Sequence, residues 1–407
     1  MKILVLNSGS ATLKTNLYEI AAAPPEDPPA AIWEGLIEWE GNWAAIRTSG
    51  PAGVRTQTRI QISSRKQVTE QLLSDLWTGA APLLKGPSAI GVVGHRIVHG
   101  GAEFSQPTVV TPHLKDVVRR MSEFAPLHNP FGLEGIEIIE EILSGVPQVA
   151  VFDTAFHTKI SETASTYAGP YEWRARGICR YGFHGINHEY CAHRVARMLG
   201  RDLDSLRIVT CHLGNGCSLA AVREGRSVDT TMGFTPLEGL MMGTRAGSID
   251  PGILIYLMRQ DHLTADQLDE LLNKKSGLAG ISGISNDMRE IVSAMKAGNP
   301  RAKLAFDIFI HRLTSFIGSM VAVLGGVDAL VFTAGIGENS AEVRAAACAS
   351  LEFLGVNLDT AKNSRVAQDC DISTADSRVR ILMIRAQEDW AIARACWSLT
   401  RAGGPSS

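Results

Sequence analysis

The chain contains one short pattern twice: an apolar strand run, a turn rich in Gly, Ser and Asn, and a second strand run. The first copy, "KILVLNSGSATLKTNLYEI", begins at Lys2, and the second, "VTCHLGNGCSLAAV", begins at Val209. A single glycine-rich turn is common, but two at the heads of two similar halves predict a duplicated domain with a ligand held between the copies. The 407 residues are enough for two such domains of about 150 residues or more.

Composition places the chain among ordinary globular proteins. The net charge of -3 gives no electrostatic reason to expect nucleic acid or an anionic membrane surface as a partner. The seven cysteines contain no CxxC pair, which favours reduced thiols in a cytosolic protein over a disulfide framework or a zinc cluster. No export signal precedes Asn7, and the apolar stretch 316–337 is interrupted by Gly325, Gly326 and Asp328. We therefore expect a soluble cytoplasmic protein without a membrane partner.

Apolar strand runs alternate with helical segments along both halves. This alternation predicts α/β domains built on parallel sheets with both faces covered. The segment "VRTQTRIQI", from Val54, alternates apolar and polar residues and predicts a half-exposed strand. The proline-rich segment 21–31 predicts a surface loop.

Five predicted buried strands end in glycines, a charge or a histidine. Ligands of open α/β sheets bind beyond the carboxyl ends of the strands, so these endings predict a binding cleft. The five endings begin at His95, Asp153, His212, Ala334 and Gln387.

The residue types in these endings suit phosphoryl transfer. Glycine-rich turns present backbone N–H groups to phosphate oxygens, and Arg96 and Arg245 can bind carboxylate or phosphoryl oxygens. The oxygens of Asn7, Asp153 and Glu388 suit Mg²⁺, which typically takes one or two carboxylates together with waters and phosphates. Positioning and charge neutralisation are the main sources of catalysis in such reactions.

Standard nucleotide motifs are missing. No G-x-x-x-x-G-K-[ST] sequence occurs, so the chain is not a P-loop protein. The segment "GIGENS", residues 335–340, is a truncated G-x-G-x-x-G and is the only support for a dehydrogenase. In "HEYCAH" the two histidines are five residues apart, so we expect a surface or core helix and no zinc site there.

Specific motifs occur in order along the whole chain: "LVLNSGSATLK", "GHRIVHGG", "APLHNP", "VFDTAFH", "RYGFHG", "HLGNGCSLAAV", "TMGFTPLEGLMMGTRAGSIDPG", "GISNDMR" and "AGIGENSAEVR". With these motifs the chain resembles, from end to end, the acetate kinase family, of the superfamily that includes actin, the heat-shock chaperone ATPase domain and sugar kinases. The resemblance implies two duplicated actin-like ATPase (ribonuclease H-like) domains with a nucleotide cleft between them. The expected boundaries are 1–153, joined by the C-terminal segment 385–407 because Glu388 must reach Asn7, and 154–384, which would carry most nucleotide contacts.

The activity that the resemblance implies is reversible phosphoryl transfer from ATP to acetate, giving acetyl phosphate and ADP by direct in-line transfer with Mg²⁺ or Mn²⁺. A homodimer is also expected from the family. A propionate or butyrate kinase of the same fold is the alternative, because one methylene in an apolar pocket discriminates by only about 1–3 kcal/mol. A non-catalytic nucleotide switch like actin is the alternative from another class; Arg96, His184 and Arg245 argue against it.

Individual roles follow from the resemblance. Asn7 and Glu388 would lie at the metal, and Lys14 near the phosphates with the hydroxyls of Ser10 and Thr12. Arg96 would meet the substrate carboxylate, Asp153 would be the acid/base residue, and His184 and Arg245 would stabilise the transferring phosphoryl group. Nucleotide contacts would come from His212, Leu213, Gly214, Asn215, Gly216, Asp287, Met288, Arg289, Gly335, Ile336, Gly337, Glu338 and Asn339. An apolar pocket for the acetate methyl would be formed by Val98, Leu127, Phe183 and Pro236.

Three of these residues have other interpretations. A carboxylic acid is already ionised at neutral pH and needs no base, so Asp153 is also interpreted as orienting Mg²⁺, a metal-bound water or His184, or as a helix cap. His184 could be a packed core histidine, and Arg245 could form a surface ion pair.

The chain departs from the usual family pattern at a few positions. Ala11 and Thr12 stand where serines are common, and Ala246 and Ser248 stand where Ser or Cys and Asp are common. "LHNPFG" replaces the more usual "LHNPAN". None of these changes removes a residue with an assigned chemical role.

Overall fold

The computed structural model describes residues 1–50, 53, 55–78, 82–126 and 128–402. The chain divides into two compact units, Met1–Ala155 with Gln387–Ser407, and Phe156–Ala386. Each unit is built on its own sheet with helices packed against it, and the predicted α/β class is confirmed.

The first unit contains an eight-stranded sheet in the order β5-β4-β3-β2-β1-β6-β8-β7. In this sheet β1, β6 and β8 run parallel to one another, and all other pairs of neighbouring strands are antiparallel. The expectation of parallel sheets is therefore wrong for the outer strands. On the hairpin side of the sheet the reason is that short turns can join only antiparallel neighbours. The strands are β1 (Lys2–Ser8), β2 (Thr12–Glu19), β3 (Trp33–Glu40), β4 (Trp43–Ser49), β5 (Arg55–Gln61), β6 (Val92–Ile97), β7 (Thr108–Val109) and β8 (Gln148–Phe152).

The second unit repeats this plan with six strands in the order β11-β10-β9-β12-β14-β13. An antiparallel hairpin is again followed by two parallel strands and an antiparallel edge strand, so that every strand has a counterpart in the first unit. The duplicated plan predicted from the sequence is thus present, and β4 and β5 are additions to the first copy. The strands are β9 (Arg207–Leu213), β10 (Cys217–Arg223), β11 (Arg226–Thr230), β12 (Ala329–Thr333), β13 (Cys370–Asp371) and β14 (Arg380–Met383).

Fifteen α-helices are found in the part of the chain that the structure describes. They are α1 (Arg65–Thr78), α2 (Pro112–Met121), α3 (Asn129–Ile142), α4 (Glu162–Ser165), α5 (Glu172–Ala175), α6 (Gly185–Leu199), α7 (Pro251–Gln260), α8 (Ala265–Lys274), α9 (Gly277–Ser282), α10 (Met288–Lys296), α11 (Pro300–Leu324), α12 (Ala334–Asn339), α13 (Ala341–Ala349), α14 (Thr360–Ser364) and α15 (Glu388–Ala402).

Helix α15 packs directly against the centre of the first sheet. A Cβ added to Gly94 in β6 would lie 2.6 Å from Cys396 Sγ and 2.6 Å from Ile392 Cγ2, so only glycine allows this approach. Trp390 is fully buried in the same helix. This packing holds Glu388, the first residue of α15, in the first unit.

The edge strand β5 is more exposed than the sequence predicts. Thr56 and Thr58 are exposed and Ile60 is half-buried, whereas the alternating pattern predicts one buried face; Val54 lies outside the described residues. An edge strand has a neighbour on one side only, which leaves these side chains uncovered.

Helix α11 leads into the fully buried strand β12. Among the described residues it is the single helix whose length and composition would allow it to cross a membrane. Its side chains Phe309, Leu313 and Ile317 are buried inside the unit.

Candidate active site

The turn between β1 and β2 is the first candidate phosphate-binding element. Gly9 donates its N–H to the carbonyl oxygen of Thr12 at 2.8 Å, which closes the turn. Ser10 and Lys14 are exposed, and Lys14 is paired in register with Asn7 on β1. The hairpin therefore places an ammonium group and two hydroxyl-bearing residues at one end of the sheet.

Arg65, a residue that sequence reasoning missed, holds this turn. Its Nη2 donates to the carbonyl oxygen of Ser10 at 2.6 Å and its Nη1 to that of Gly9 at 3.2 Å. The guanidinium lies over the rings of Trp39 and Phe131, 4.5 Å and 4.7 Å from their centroids. Arg65 lies 55 residues beyond the turn, so no local sequence signal could have found the contact.

Arg96 and Asp153 form a two-pronged pair at the ends of β6 and β8. Arg96 Nε donates to Asp153 Oδ1 at 3.1 Å, and Nη2 donates to Oδ2 at 2.5 Å. Burial disfavours the charged guanidinium, but the carboxylates of Asp153 and Glu388 outweigh it and raise the pKa of Arg96 above its ordinary value. Arg96 is therefore a permanent cation in a fixed orientation.

Besides Asp153, two other predicted residues of the first unit, Asn7 and Glu388, lie next to Arg96. Its Nη1 donates to Asn7 Oδ1 at 3.3 Å, and its Nε lies 3.9 Å from Glu388 Oε2. Next to Glu388, burial and the Glu388 charge raise the pKa of Asp389 to about 6, and Asn16 Nδ2 donates to Asp389 Oδ2 at 2.6 Å. The sequence had assigned roles to neither Asn16 nor Asp389.

The chemistry around Glu388 fits a magnesium ion. Glu388 Oε1 is buried and has no hydrogen-bond partner among the described residues, which is costly unless a cation or water completes its shell. No group of three or more His, Cys, Asp or Glu side chains that could hold a metal occurs in the described part of the chain. A site with one carboxylate and one amide oxygen suits Mg²⁺, which keeps waters and substrate phosphates as its other ligands.

In the second unit, His184 is held in a strained conformation at the start of α6. Its φ of 56° lies in the left-handed region, which costs a non-glycine residue about 1–3 kcal/mol and is most often found at functional sites. Its ring stacks on that of His212, with centroids 4.0 Å apart and planes at 8°, and its Nδ1 lies 2.8 Å from Ser218 Oγ. His184 is half-buried, unlike the fully buried His188 in the same helix.

The segment 212–216 forms a tight turn between β9 and β10. Gly214 donates its N–H to the carbonyl oxygen of Gly216 at 3.0 Å. A Cβ on Gly216 would lie 3.5 Å from both Arg245 Nη1 and His184 Nε2, so these two side chains flank the same glycine. The structure thus brings His184, Arg245 and the turn together.

Arg245 is positioned from a loop rather than from a helix or strand. Its Nη1 donates to the carbonyl oxygen of Pro236 at 3.1 Å, and burial lowers its pKa from the ordinary value. A Cβ on Gly243 would lie 2.1 Å from Asn215 Oδ1, so glycine is required where this loop meets the turn. The surface ion pair considered for Arg245 is not found in the described structure.

The two other predicted nucleotide segments are helix starts. Asp287 caps α10, with its Oδ1 accepting the N–H of Arg289 at 2.8 Å, and the two side chains form an ion pair. Asn286 Nδ2 donates to Asn215 Oδ1 at 3.0 Å, which places this end of α10 beside the 212–216 turn. Residues 335–339 lie in the short helix α12, directly after β12.

Arg344 supports α12 from inside the unit and was not predicted from the sequence. This buried guanidinium donates through Nη1 to the carbonyl oxygens of Gly337 and Glu338, both at 2.8 Å. Ala334 at the start of α12 has a φ of 64°, in the left-handed region that non-glycine residues rarely adopt. A strained backbone residue and a buried polar contact therefore occur together at this segment, as they do at His184, whose ring contacts Ser218.

The residues predicted to form an apolar pocket occur in both units. Val98 is buried after β6 in the first unit. Phe183 is buried in the second unit, where Pro236 is half-buried. Leu127 lies outside the described residues.

Comparison with known proteins gives a consistent result. A model of the Acetokinase family matches residues 2–394. An acetate kinase from a Cyanothece species is 55% identical over 408 residues, covering 100% of both chains. The crystal structure of Porphyromonas gingivalis acetate kinase has a TM-score of 0.91 at 39% identity, and that of a propionate kinase from Francisella tularensis has a TM-score of 0.89 at 37% identity. Both cover 98% of this chain and 99% of the other.

Proposed function

The chain belongs to the acetokinase family, and from this premise we propose that it catalyses reversible phosphoryl transfer from ATP to acetate, giving acetyl phosphate and ADP. We propose acetate rather than propionate as the acceptor because full-length relatives more than half identical to this chain are acetate kinases. The structural likeness to a propionate kinase keeps that acid as the alternative.

The observation that carries this proposal is the Arg96–Asp153 pair. Arg96 is a fixed, permanently charged side chain at the carboxyl end of the central parallel strand β6, where ligands of such sheets bind. Asp153 and Asn7 accept from three of the five guanidinium N–H groups, and the two that remain can bind the two oxygens of a carboxylate, or one carboxylate and one phosphoryl oxygen. A nucleotide switch that has no carboxylate substrate would not need this arginine.

We assign Asp153 a positioning role. Both of its oxygens accept from Arg96, and acetate is ionised at neutral pH, so no proton has to be removed from the acceptor. Asp153 therefore orients the guanidinium that receives the substrate.

Asn7 and Glu388 are proposed to hold Mg²⁺, with Mn²⁺ as a substitute. The ion would neutralise phosphate charge when bound. The buried oxygen of Glu388 supports this assignment, and the 3.3 Å contact with Arg96 orients the amide oxygen of Asn7. Lys14, Ser10 and Thr12 would bind phosphate oxygens from the same hairpin.

The second unit is proposed to bind the nucleotide and the transferring group. His184 and Arg245 flank Gly216 and would contact the phosphoryl oxygens, over which the negative charge is spread in the transition state. The nucleotide would lie against residues 212–216, 287–289 and 335–339. Within this unit, Phe183 and Pro236 would contact the acetate methyl.

We further propose a cytoplasmic homodimer. Helix α7 has no buried residue although it is strongly apolar, and Ile253, Ile255, Tyr256 and Met258 are about half exposed. Apolar surface of this kind on one helix is typical of an interface. A second copy of the chain is the partner that the family suggests.

The proposal is tested by trapping acyl phosphate as hydroxamate from ATP, Mg²⁺ and acetate, propionate or butyrate. We expect turnover to be highest with acetate. A preference for propionate or butyrate would assign the same chemistry to a longer acid. Binding of ATP without acyl phosphate from any of the acids would contradict the kinase and favour a nucleotide switch.

A further inference from the structure

A chain of short polar contacts leads from His184 into the core of the second unit. Ser218 Oγ lies 2.8 Å from His184 Nδ1 and 2.7 Å from His188 Nε2. His188 Nδ1 lies 2.7 Å from Thr210 Oγ1, which donates to the carbonyl oxygen of Ala220 at 3.4 Å. Ser218, His188 and Thr210, which we call the relay, are each 0% exposed, so solvent does not supply hydrogen bonds to it.

The direction of the relay follows from the number of hydrogens available. We assign the single hydroxyl hydrogen of Thr210 to the carbonyl oxygen of Ala220, which can only accept, so that Thr210 accepts from Nδ1–H of His188. His188 is neutral because burial, together with His157 and His212, lowers its pKa well below the ordinary value. A neutral ring that donates from Nδ1 must accept at Nε2, and that hydrogen comes from Ser218.

This assignment of hydrogens has a consequence for His184. The hydroxyl hydrogen of Ser218 is used at His188, so towards His184 the same oxygen can only accept. The ring of His184 therefore carries a hydrogen on Nδ1, and when it is neutral its Nε2 is a lone pair. A lone pair repels an anionic phosphoryl oxygen, whereas an N–H attracts it.

We propose, resting on the phosphoryl-transfer function above, that the relay makes His184 act as an imidazolium, since only the doubly protonated ring can donate from Nε2 to the transferring group. Ser218, His188 and Thr210 are then positioning residues for that proton. They contact neither the nucleotide nor the acid in this account.

His212 is held in the opposite tautomer. Asn187 Nδ2 lies 2.9 Å from its Nδ1 and can only donate, so neutral His212 accepts at Nδ1 and carries its hydrogen on Nε2. The amide nitrogen of Asn187 also donates to Thr333 Oγ1 at 3.3 Å, and Asn187 Oδ1 accepts from Cys191 Sγ at 3.7 Å, which supports this orientation of the amide. A neutral His212 can stack on the His184 cation without a repulsion between two charges.

The surrounding charges set the condition for this state. Titratable or charged side chains of the unit near His184 include His212 from β9, Arg245 across Gly216 and His188 beyond Ser218, with His157 packed against His188. The Arg245 cation disfavours a second positive charge nearby, and the negative charge of a bound phosphoryl group favours it. Protonation of His184 is thus expected to be coupled to ligand binding.

Nitrogen-15 NMR of the full chain labelled at histidine tests the relay without substrate. His184 is assigned by comparison with His184→Gln, and a pH titration identifies its neutral form. We expect the neutral ring to be protonated at Nδ1 and His212 at Nε2. A neutral His184 protonated at Nε2 would overturn the proposal, whatever the enzyme assay shows. The expected tautomer in a protein that forms no acyl phosphate would leave the relay standing and contradict only the kinase.

The pH dependence of kcat in two matched variants also tests the relay, because residues that served only to stabilise the fold would not change it. In the wild type, kcat at saturating substrates should fall about tenfold per pH unit above the pKa of bound His184. Thr210→Val keeps the shape but removes the hydroxyl, so we expect both neutral tautomers of His184 and a shallower decline of kcat at high pH. Thr210→Ser keeps the hydroxyl and should restore the wild-type slope. An unchanged slope and tautomer in Thr210→Val, with a native circular dichroism spectrum, would refute the direction assigned to the relay.

Discussion

At the scale of single residues, the pairing of Arg96 with Asp153 is the contact on which most of the site depends. Arg96 lies opposite Val151 in the parallel register of β6 and β8, and Asp153 follows two residues later. The sequence indicated both residues as candidates because each follows a buried strand. Their pairing could not be predicted, since it requires knowing which strands are neighbours and in which register.

Asp153→Asn tests whether this residue positions Arg96 or acts as a base. We expect kcat/KM for acetate to fall about 10- to 100-fold, the equivalent of one charge-assisted hydrogen bond of about 1.5–3 kcal/mol. The dependence of the rate on pH between about 5.5 and 8 should keep its shape. Loss of an acidic limb present in the wild type would show that Asp153 titrates as the base.

Buried His95 makes the stability of the first unit depend on pH. Burial lowers its pKa to about 4, below the ordinary 6.5, although its Nε2 lies 2.6 Å from Gln148 Oε1. The unfolded chain therefore binds a proton at His95 more readily than the folded chain. The resulting stability is complete above pH 6.5 and is lost as pH falls towards 4.

His95→Gln should remove this dependence. Between pH 6.5 and 4 the free energy of unfolding of the wild type should fall relative to the variant by up to about 1.4 kcal/mol per pH unit. Urea unfolding of both proteins at a series of pH values measures the difference. Parallel curves would contradict the predicted contribution of His95.

At the scale of elements, the hairpin β1–β2 was predicted at nearly the observed bounds. Its strands are uninterrupted runs with a glycine turn, which is a local signal. Arg65 holds this turn through its hydrogen bonds to Gly9 and Ser10, an arrangement that we call the clamp. The clamp depends on α1 and α3 lying against the turn, so no local sequence signal predicts it. Phe131, one of the two rings over Arg65, is also a position where the chain departs from the family pattern, so the departure is part of the clamp.

Arg65→Met should loosen the turn while keeping much of the apolar contact. We expect a rise in KM for ATP and a loss in kcat/KM of about 10-fold or more, because two hydrogen bonds to the turn are removed. Arg59→Met is the matched control, since Arg59 lies over Trp43 at 5.2 Å without contacting the turn. Equal kinetics in the two variants would argue against the clamp.

In the segment 335–339, residue composition alone does not predict the backbone conformation. Its glycines suggested a phosphate-binding turn, but the structure continues β12 directly into the short helix α12. The left-handed Ala334 makes the sharp change of direction, and the buried Arg344 satisfies the last carbonyl oxygens. Neither feature has a sequence signature, because alanine rarely adopts positive φ.

At the scale of the whole molecule, the repeated strand pattern is the feature that the sequence predicted best. It reappears as two sheets whose strands correspond one to one apart from β4 and β5. The parallel or antiparallel sense of each strand was harder to predict, since periodicity reports burial and not the neighbour. The domain boundaries at 153 and 385 and the assigned residue roles stay predictions.

The exposed face of α7 predicts the oligomeric state. We expect light scattering of the wild type to give twice the 43.8 kDa mass of the chain. Ile255→Asp should shift the protein to the monomer, because a charge would be buried in the interface. Phe353→Asp, at an apolar residue that is 80% exposed elsewhere in the same unit, should stay dimeric. A monomeric wild type would contradict the homodimer.

The most direct test of the central claim is ATP formation from ADP and acetyl phosphate, measured for the wild type, Arg96→Ala and Arg119→Ala. Arg119 is an exposed cation on α2 and serves as the control for charge. We predict that the wild type and Arg119→Ala form ATP, and that Arg96→Ala is about 10²- to 10³-fold slower, the cost of one transition-state contact. No ATP from the wild type, or an Arg96→Ala variant as fast as the control, would contradict the account.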